Sequence, residues 1–275
     1  MNRFLLALLA LPMLAADYQL LVDEADAALR KGELAHAIET ATSAIEADGE
    51  RLEGYIVRGF AHEQKRAFAA ALADFDAALA IRPNLVGLRN RRGDFHFRLG
   101  NFAKSLADYD AFLDAHPDQK PYHWKRGITC YYAKEYTLGR QQFESHRSVN
   151  PNDVENSAWH FLCLAREKDA DTARAQFIPT GGDGRVPMMK VHALFANSAT
   201  PADVMAVATD PQLAPRERQQ AVFYAHLYLG LYYEAIGEQD RANRHIMLSA
   251  DDYAVDHYMG DVARVHANLL RTPQE

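Results

Sequence analysis

The residue types best suited to chemistry are histidines and cysteines that recur in register. His62, His96 and Cys130 hold one position at a spacing of 34 residues. A metal site would need such ligands to converge, yet equivalent side chains on neighbouring helices start ~8–10 Å apart. The line therefore reads as buried structural side chains. Asp256, His257, Asp261 and His266 form a second group near the C-terminus. Only His257 and Asp261 share the i,i+4 spacing of a helix face, and two ligands do not make a site. His160 and Cys163 offer a base and a nucleophile, but both fall within one apolar helical pattern and read as packing. Gly181-Gly182-Asp183-Gly184 has the composition of a phosphate cradle without its GKS/T ending or preceding strand. No G-x-S-x-G or H-E-x-x-H motif occurs. The sequence thus calls for no cofactor and no metal. It points away from catalysis, with a helical hydrolase as the minor alternative, to be recognised by a deep pocket holding polarised titratable groups.

The elements that carry these residues follow from a fixed period. Gly59, Gly93 and Gly127 are 34 residues apart, and so are Pro83, Pro117 and Pro151. Phe68, Phe102 and Tyr136 keep the same step, as do Phe75, Tyr109 and Phe143, and the small residues Ala71, Ser105 and Gly139. Each has a mechanical reason. The small residues let two helices approach closely. The aromatics start the second helix and fill the gap between the pair. The prolines cannot continue a helix and close each unit. Arg58, Arg92 and Arg126 also repeat, with Asp74, Asp108 and Gln142 sixteen residues after them. The Arg–Asp pairs are expected to tie the two helices of a unit together, a structural role.

These residues resemble the tetratricopeptide repeat (TPR), whose period is the same. The resemblance implies an all-α fold: a TPR helical-hairpin superhelix with an irregular helical insert, then a C-terminal TPR-like hairpin and a capping helix. The expected layout is a signal peptide at 1–16 and four TPR units over 17–153 (18–51, 52–85, 86–119 and 120–153). An irregular helical region at 154–214 follows, then the closing hairpin and cap at 215–275. The first unit has Gly49 where proline would stand, as suits a terminal repeat. In the insert, Val154–Arg166 is one helical pattern and Met188–Ala196 another. Thr200, Pro201 and Asp203 mark a helix start. The template returns at Gly230, Tyr233, Gly237, Ala242 and Ile246. A last helix over Ala254–Leu270 carries Tyr258, Val262, Val265 and Leu269 on one face.

The layout, with HLYLGLYYEAIGEQDRANRHI and AWHFLCLAR carrying the likeness, resembles NlpI-type bacterial envelope proteins. DHYMGDVARVH is similar to the closing block of exported bacterial repeat proteins. NlpI-type proteins are adaptors that bring envelope proteases or peptidoglycan hydrolases to their targets. In the TPR family the first helix of each unit lines a concave face, and the lining positions map here onto Ile56 and Phe60, then Asn90, Arg91, Asp94, Phe97 and Arg98, then Trp124, Lys125, Ile128, Tyr131 and Tyr132. Aromatic and arginine side chains are frequent interface anchors, so a helical or extended peptide, one with an acidic tail included, is the expected ligand. Some of these residues, Trp124 above all, would instead pack between repeats. Ile56 and Phe60 stand where a carboxylate clamp has Lys and Asn, so that clamp is not expected.

The formal net charge of −7 argues against a nucleic-acid partner, which requires a basic face. Arg3 followed by the apolar run Phe4–Ala15, with Ala15 and Ala16 for cleavage, reads as a secretory signal too short to span a bilayer. No Cys follows that run, so a lipid anchor is not expected, and the mature chain should be periplasmic or secreted with no stable membrane anchor. Cys130 and Cys163 are the only cysteines and read as small buried hydrophobes, a disulfide being the alternative. The expected role is an exported scaffold or adaptor for a protein or peptide partner. A structural subunit of an envelope complex is the second reading, and a homo-oligomer is compatible with either.

Overall fold

The computed structural model describes the backbone of residues 3–272 and the side chains of residues 17–272. The proposed signal at 1–16 lies outside the described side chains. Among the described residues every regular element is helical, in two compact units that divide after Ala115.

The first unit holds three helical hairpins: α1 (Arg3–Lys31) with α2 (Leu34–Ala47), α3 (Glu53–Gln64) with α4 (Phe68–Ile81), and α5 (Val86–Arg98) with α6 (Phe102–Ala115). The repeated glycines explain how tightly each pair closes. A Cβ on Gly59 would lie 2.6 Å from the Phe75 ring, and one on Gly93 would lie 2.7 Å from the Tyr109 ring. Each aromatic therefore packs directly against the backbone of the facing helix, where a side chain on the glycine would force it to shift. The first hairpin solves the same crossing with two small residues, since the fully buried Ala25 and Ala41 hold the equivalent positions within one apolar cluster. Ser105 sits at the crossing of α5 and α6, where its Oγ donates to the Gly93 carbonyl at 2.8 Å.

The Arg–Asp pairs form as expected. Arg58 Nη2 donates to Asp74 Oδ1 at 2.7 Å, and Arg92 binds both carboxylate oxygens of Asp108 at 2.6 and 2.7 Å. Each guanidinium also reaches backward, Arg58 to Thr42 Oγ1 at 3.1 Å and Arg92 to Asp76 at 2.8 Å. One arginine per repeat thus fastens its own second helix and the second helix of the preceding repeat.

The second unit starts with a 3₁₀ turn (Pro117–Tyr122) and a fourth hairpin of α7 (Trp124–Tyr132) and α8 (Tyr136–His146). Gly127 meets Phe143 as its counterparts do, a Cβ lying 2.7 Å from that ring. Then come α9 (Val154–Glu167), α10 (Ala170–Ala175), α11 (Met188–Phe195) and α12 (Pro201–Ala208), followed by the hairpin of α13 (Pro215–Ala235) and α14 (Gln239–Ala250), and finally α15 (Tyr258–Arg271). Helix α9 is buried on nearly every side from Asn156 to Leu164, which makes it the centre of this unit's core. Thr200 and Asp203 form a reciprocal capping box at the start of α12, the signal read there from sequence. Gly230 and Ile246 repeat the glycine crossing in α13 and α14, with 2.7 Å between a Cβ and the isoleucine side chain. Pro83 and Pro151 lie in turns between helices, and Pro117 opens the 3₁₀ turn.

Five hairpin turns share one backbone device. Residues 32, 66, 100, 134 and 237 have positive φ between 59° and 82°. The next amide in each case donates back across the turn, as Glu33 N does to the Ala28 carbonyl and Glu135 N to the Cys130 carbonyl. This is the Schellman closure that satisfies the last carbonyls of a helix. Gly32, Gly100 and Gly237 adopt it freely, whereas Arg66 and Lys134 hold the left-handed conformation with a side chain attached.

Candidate partner-binding surface

In the first unit the predicted lining residues divide by burial. Ile56, Phe60, Asn90 and Arg98 are partly exposed and Arg91 is exposed. Phe60 stacks edge-on against Phe75 with centroids 5.3 Å apart. The Arg91 guanidinium lies 5.7 Å from the Phe60 ring centre, while its Nε is 3.3 Å from Glu63 Oε2. An aromatic face and a cation are thus set side by side on the first helices of two successive repeats. Arg98 lies over the Phe68 ring at 4.9 Å. Asp94 and Phe97 differ from expectation. Asp94 is buried and accepts a 2.7 Å hydrogen bond from the Tyr109 hydroxyl. Phe97 is fully buried beside Phe102, with ring centres 5.8 Å apart. Both serve packing, because the aromatic crossing of the hairpin draws them inward.

In the second unit the corresponding face of α7 is occupied by the chain's own C-terminal helices. Trp124 meets the Tyr258 ring edge-on at 5.0 Å, and Lys125 Nζ lies 5.1 Å from that ring's centre. The Tyr131 hydroxyl donates to Glu234 Oε2 at 3.1 Å, and the Tyr132 hydroxyl shares a 3.1 Å hydrogen bond with His266 Nδ1. Tyr131 also stacks on Trp159, and Ile128 is 1% exposed. Burial pushes both tyrosine hydroxyls well above their ordinary pKa and holds the His266 ring below its own. These groups are therefore neutral hydrogen-bonding partners at pH 7. Of the five residues predicted to meet a partner here, Trp124, Lys125, Tyr131 and Tyr132 are engaged by α13 and α15 instead, and Ile128 is buried. Sequence offered a signal for this. Tyr258, Val262 and Val265 mark one face of the last helix, and that face needs an aromatic surface to cover it.

The loop 181–184 is acidic where a phosphate cradle would offer donors. Asp183 accepts from the Val154 amide at 3.3 Å and from Arg185, whose guanidinium also binds Asp153 at 2.8 Å and Glu155. Tyr228 donates to the other Glu155 oxygen at 2.7 Å. Burial pushes the Glu155 carboxyl up and Arg185 opposes it. Burial also opposes the charge on Arg185, but Asp183 and Glu155 outweigh it and raise the guanidinium further. No sequence motif announced this cluster, because its members are brought together only by the turn after α10.

The remaining chemical candidates resolve into packing. His62 and His96 lie 3.9 Å from Asp74 and Asp108, on the same carboxylates that hold the arginines. Cys130 and Cys163 are both buried and are not joined in a disulfide. They flank Gly139, whose Cβ would lie 2.7 Å from Cys163 Sγ and 3.3 Å from Cys130 Cβ. Burial pushes the Cys163 thiol far above its ordinary pKa, which makes it a poor nucleophile.

Residues 22–85 and 90–153 match the tetratricopeptide repeat family. Among solved structures, the chain is similar to a tetratricopeptide repeat protein from Parabacteroides merdae ATCC 43184, with a TM-score of 0.60 and 17% identity over 94% of this chain and 100% of that one. It is also similar to MamA from Desulfovibrio magneticus RS-1, with a TM-score of 0.52 and 18% identity over 58% of this chain and 90% of that one. A further MamA structure gives 0.54 and 13% identity over 73% of this chain and 100% of that one. The 34-residue register, the repeated glycine crossing and these matches together give the chain an all-α, TPR-like helical repeat fold, with tetratricopeptide repeats over residues 22–85 and 90–153.

Proposed function

We propose that this chain is an exported scaffold or adaptor that holds a protein or peptide partner on the face formed by α3 and α5. TPR proteins as a class mediate protein–protein interactions. The observation that supports the reading is the Phe60–Arg91 pair, a partly exposed ring beside an exposed guanidinium on adjacent first helices. Aromatic and arginine anchors of this kind dominate binding energy when a partner covers them. Ile56 and Asn90 extend the surface. Export rests on the leader pattern in residues 1–16, and the adaptor role on the likeness to NlpI-type envelope proteins. No helix among the described residues is long and apolar enough to cross a membrane.

The test is affinity capture from an envelope extract with wild type and Phe60→Ala/Arg91→Ala. The double variant should lose the captured partner while keeping its helical circular dichroism. Capture unchanged by the double substitution would remove α3 and α5 from consideration. The mass of the protein recovered from the periplasm or medium checks the leader: it should lack residues 1–16.

A further inference from the structure

Inside the second unit a cavity of about 50 Å³ is enclosed by α7, α8, α9 and α15. Aromatic rings of Trp124, Phe143 and Trp159 form its walls, and Asp153, Glu155 and the half-buried Trp124 keep enough exposure to mark its mouth. A cavity of that volume takes roughly three or four water-sized groups.

Its polar atoms are not satisfied by the chain. His146 Nε2, Asn156 Oδ1 and Trp159 Nε1 are buried without a hydrogen-bond partner, on residues 5%, 3% and 1% exposed. The role of the His146 nitrogen follows from its other bond. Nδ1 lies 2.8 Å from the Pro121 carbonyl, which can only accept, so Nδ1 donates there and, in the tautomer this bond selects, Nε2 offers a lone pair. Asp153 Oδ2 is 3.9 Å from that nitrogen, too far for a direct hydrogen bond. With the Asp153 carboxylate, three acceptor groups thus belong to residues that line a space walled by π systems. The adjoining Asp153, Glu155 and Asp183 carry three formal negative charges against the single guanidinium of Arg185. An acceptor-rich, anionic, aromatic-walled site matches a cation with several N–H donors. The indole N–H of Trp159 adds a place for one acceptor atom on the same ligand.

We propose that this cavity binds a small primary ammonium group whose carrier also bears an oxygen acceptor. The ammonium donates to His146 Nε2, Asn156 Oδ1 and Asp153, and the oxygen accepts from Trp159. The proposal is independent of the α3 and α5 surface. The oxygen assigns the carrier to a free small amine; the tip of a lysine on a bound protein, which has no oxygen beside its ammonium, is the alternative that the experiment separates.

Trp124 and Trp159 are the only tryptophans in the chain, so fluorescence excited at the red edge of the indole band, where tyrosine does not absorb, reports on the two indoles that wall this cavity. Full-length protein is titrated with 2-aminoethanol, ethylammonium, Nα-acetyl-lysine amide and, as a neutral control, 1-propanol. The expected result is a saturable change with 2-aminoethanol, weaker binding of ethylammonium and none of 1-propanol. Trp159→Phe keeps the ring and removes the donor, so it should bring 2-aminoethanol down to the affinity of ethylammonium. Asn156→Leu should weaken both at least tenfold. Saturation by the free amines without the lysine derivative supports the proposal; saturation by the lysine derivative as tightly as by 2-aminoethanol overturns it, because no oxygen acceptor then contributes. The absence of a saturable response to every amine, or a response equal to that of 1-propanol, overturns the proposal. So does a crystal soaked in 2-aminoethanol that shows only water on the three atoms. If Asn156→Leu fails to fold, the ligand series on wild type and Trp159→Phe still decides.

Discussion

The stability of the second unit should depend on the protonation of a buried histidine pair. His226 Nδ1 and His245 Nδ1 lie 2.8 Å apart between α13 and α14, in a contact that requires one ring to donate and the other to accept. Tyr253 stacks on His226, and Tyr233 stacks on His245. Burial, reinforced by the charge of His245, lowers the His226 pKa from 6.5 to about 4, while nearby Asp252 opposes the shift. The folded pKa is below the unfolded one, so the contribution to stability is complete above about pH 7. It drains away as the pH falls from there through about 4. At pH 5 the unfolded ring is almost fully charged and the folded ring only about one-tenth so, a difference of about 2 kcal/mol by linkage. Solvent at the partly exposed His245 screens part of this, which leaves roughly 1–2 kcal/mol. Burial lowers the pKa of His62, His96, His160, His257 and His266 in the same direction, so wild type should lose further stability over the same window. Urea unfolding at pH 7.5 and 5.0, followed by circular dichroism, isolates the pair if His226→Gln is run in parallel. The variant keeps a hydrogen-bonding group opposite His245 but does not titrate, so its loss between the two pH values should be smaller by that 1–2 kcal/mol. Equal losses in the two proteins would refute the assignment.

Three further sets of substitutions probe the repeat mechanics. Arg92→Ala strands the buried Asp108 carboxylate and should cost about 3 kcal/mol in chemical denaturation; Arg92→Lys should recover less than half of that, because an ammonium cannot serve both oxygens of Asp108 and also Asp76. Gly93→Ala places a methyl 2.7 Å from the Tyr109 ring and should destabilise by ~1–3 kcal/mol, with Tyr109→Leu in the same chain reducing the penalty. Lys134→Gly relieves a left-handed backbone at φ 63° and should raise stability by about 0.5–1 kcal/mol, net of the extra unfolded-state entropy of glycine; an unchanged or lower midpoint would show that the turn is not strained.

What the sequence revealed and what it hid follow from how local each contact is. The glycine crossings and the Arg–Asp pairs join residues sixteen positions apart within one hairpin, so they repeat with the period and can be read by self-alignment. The turn closure repeats just as strictly but was not legible, because Arg66 and Lys134 stand where Gly32 and Gly100 show the need for positive φ. The lining positions were read from the family's geometry, which assumes an open face. That assumption leaves Ile56, Phe60, Asn90, Arg91 and Arg98 at least partly exposed, but it misplaces Asp94 and Phe97 and does not see that α15 lies on α7. The cavity was hidden for a similar reason. His146, Asn156 and Trp159 come from two helices with no shared motif, and their unsatisfied atoms emerge only from packing.

The bonds from Tyr131 to Glu234 and from Tyr132 to His266 join residues 103 and 134 positions apart. Such distant closures are slow to form, and a chain made from its N-terminus cannot make the first until α13 exists or the second until α15 does. The first unit, held by short-range hairpins, can settle as it emerges, while α7 must wait with its tyrosines and indole uncovered. Pulsed hydrogen exchange during refolding should therefore show α7 gaining protection together with α15 and after α3 and α5. During that interval the aromatic face of the waiting helix stays open to water.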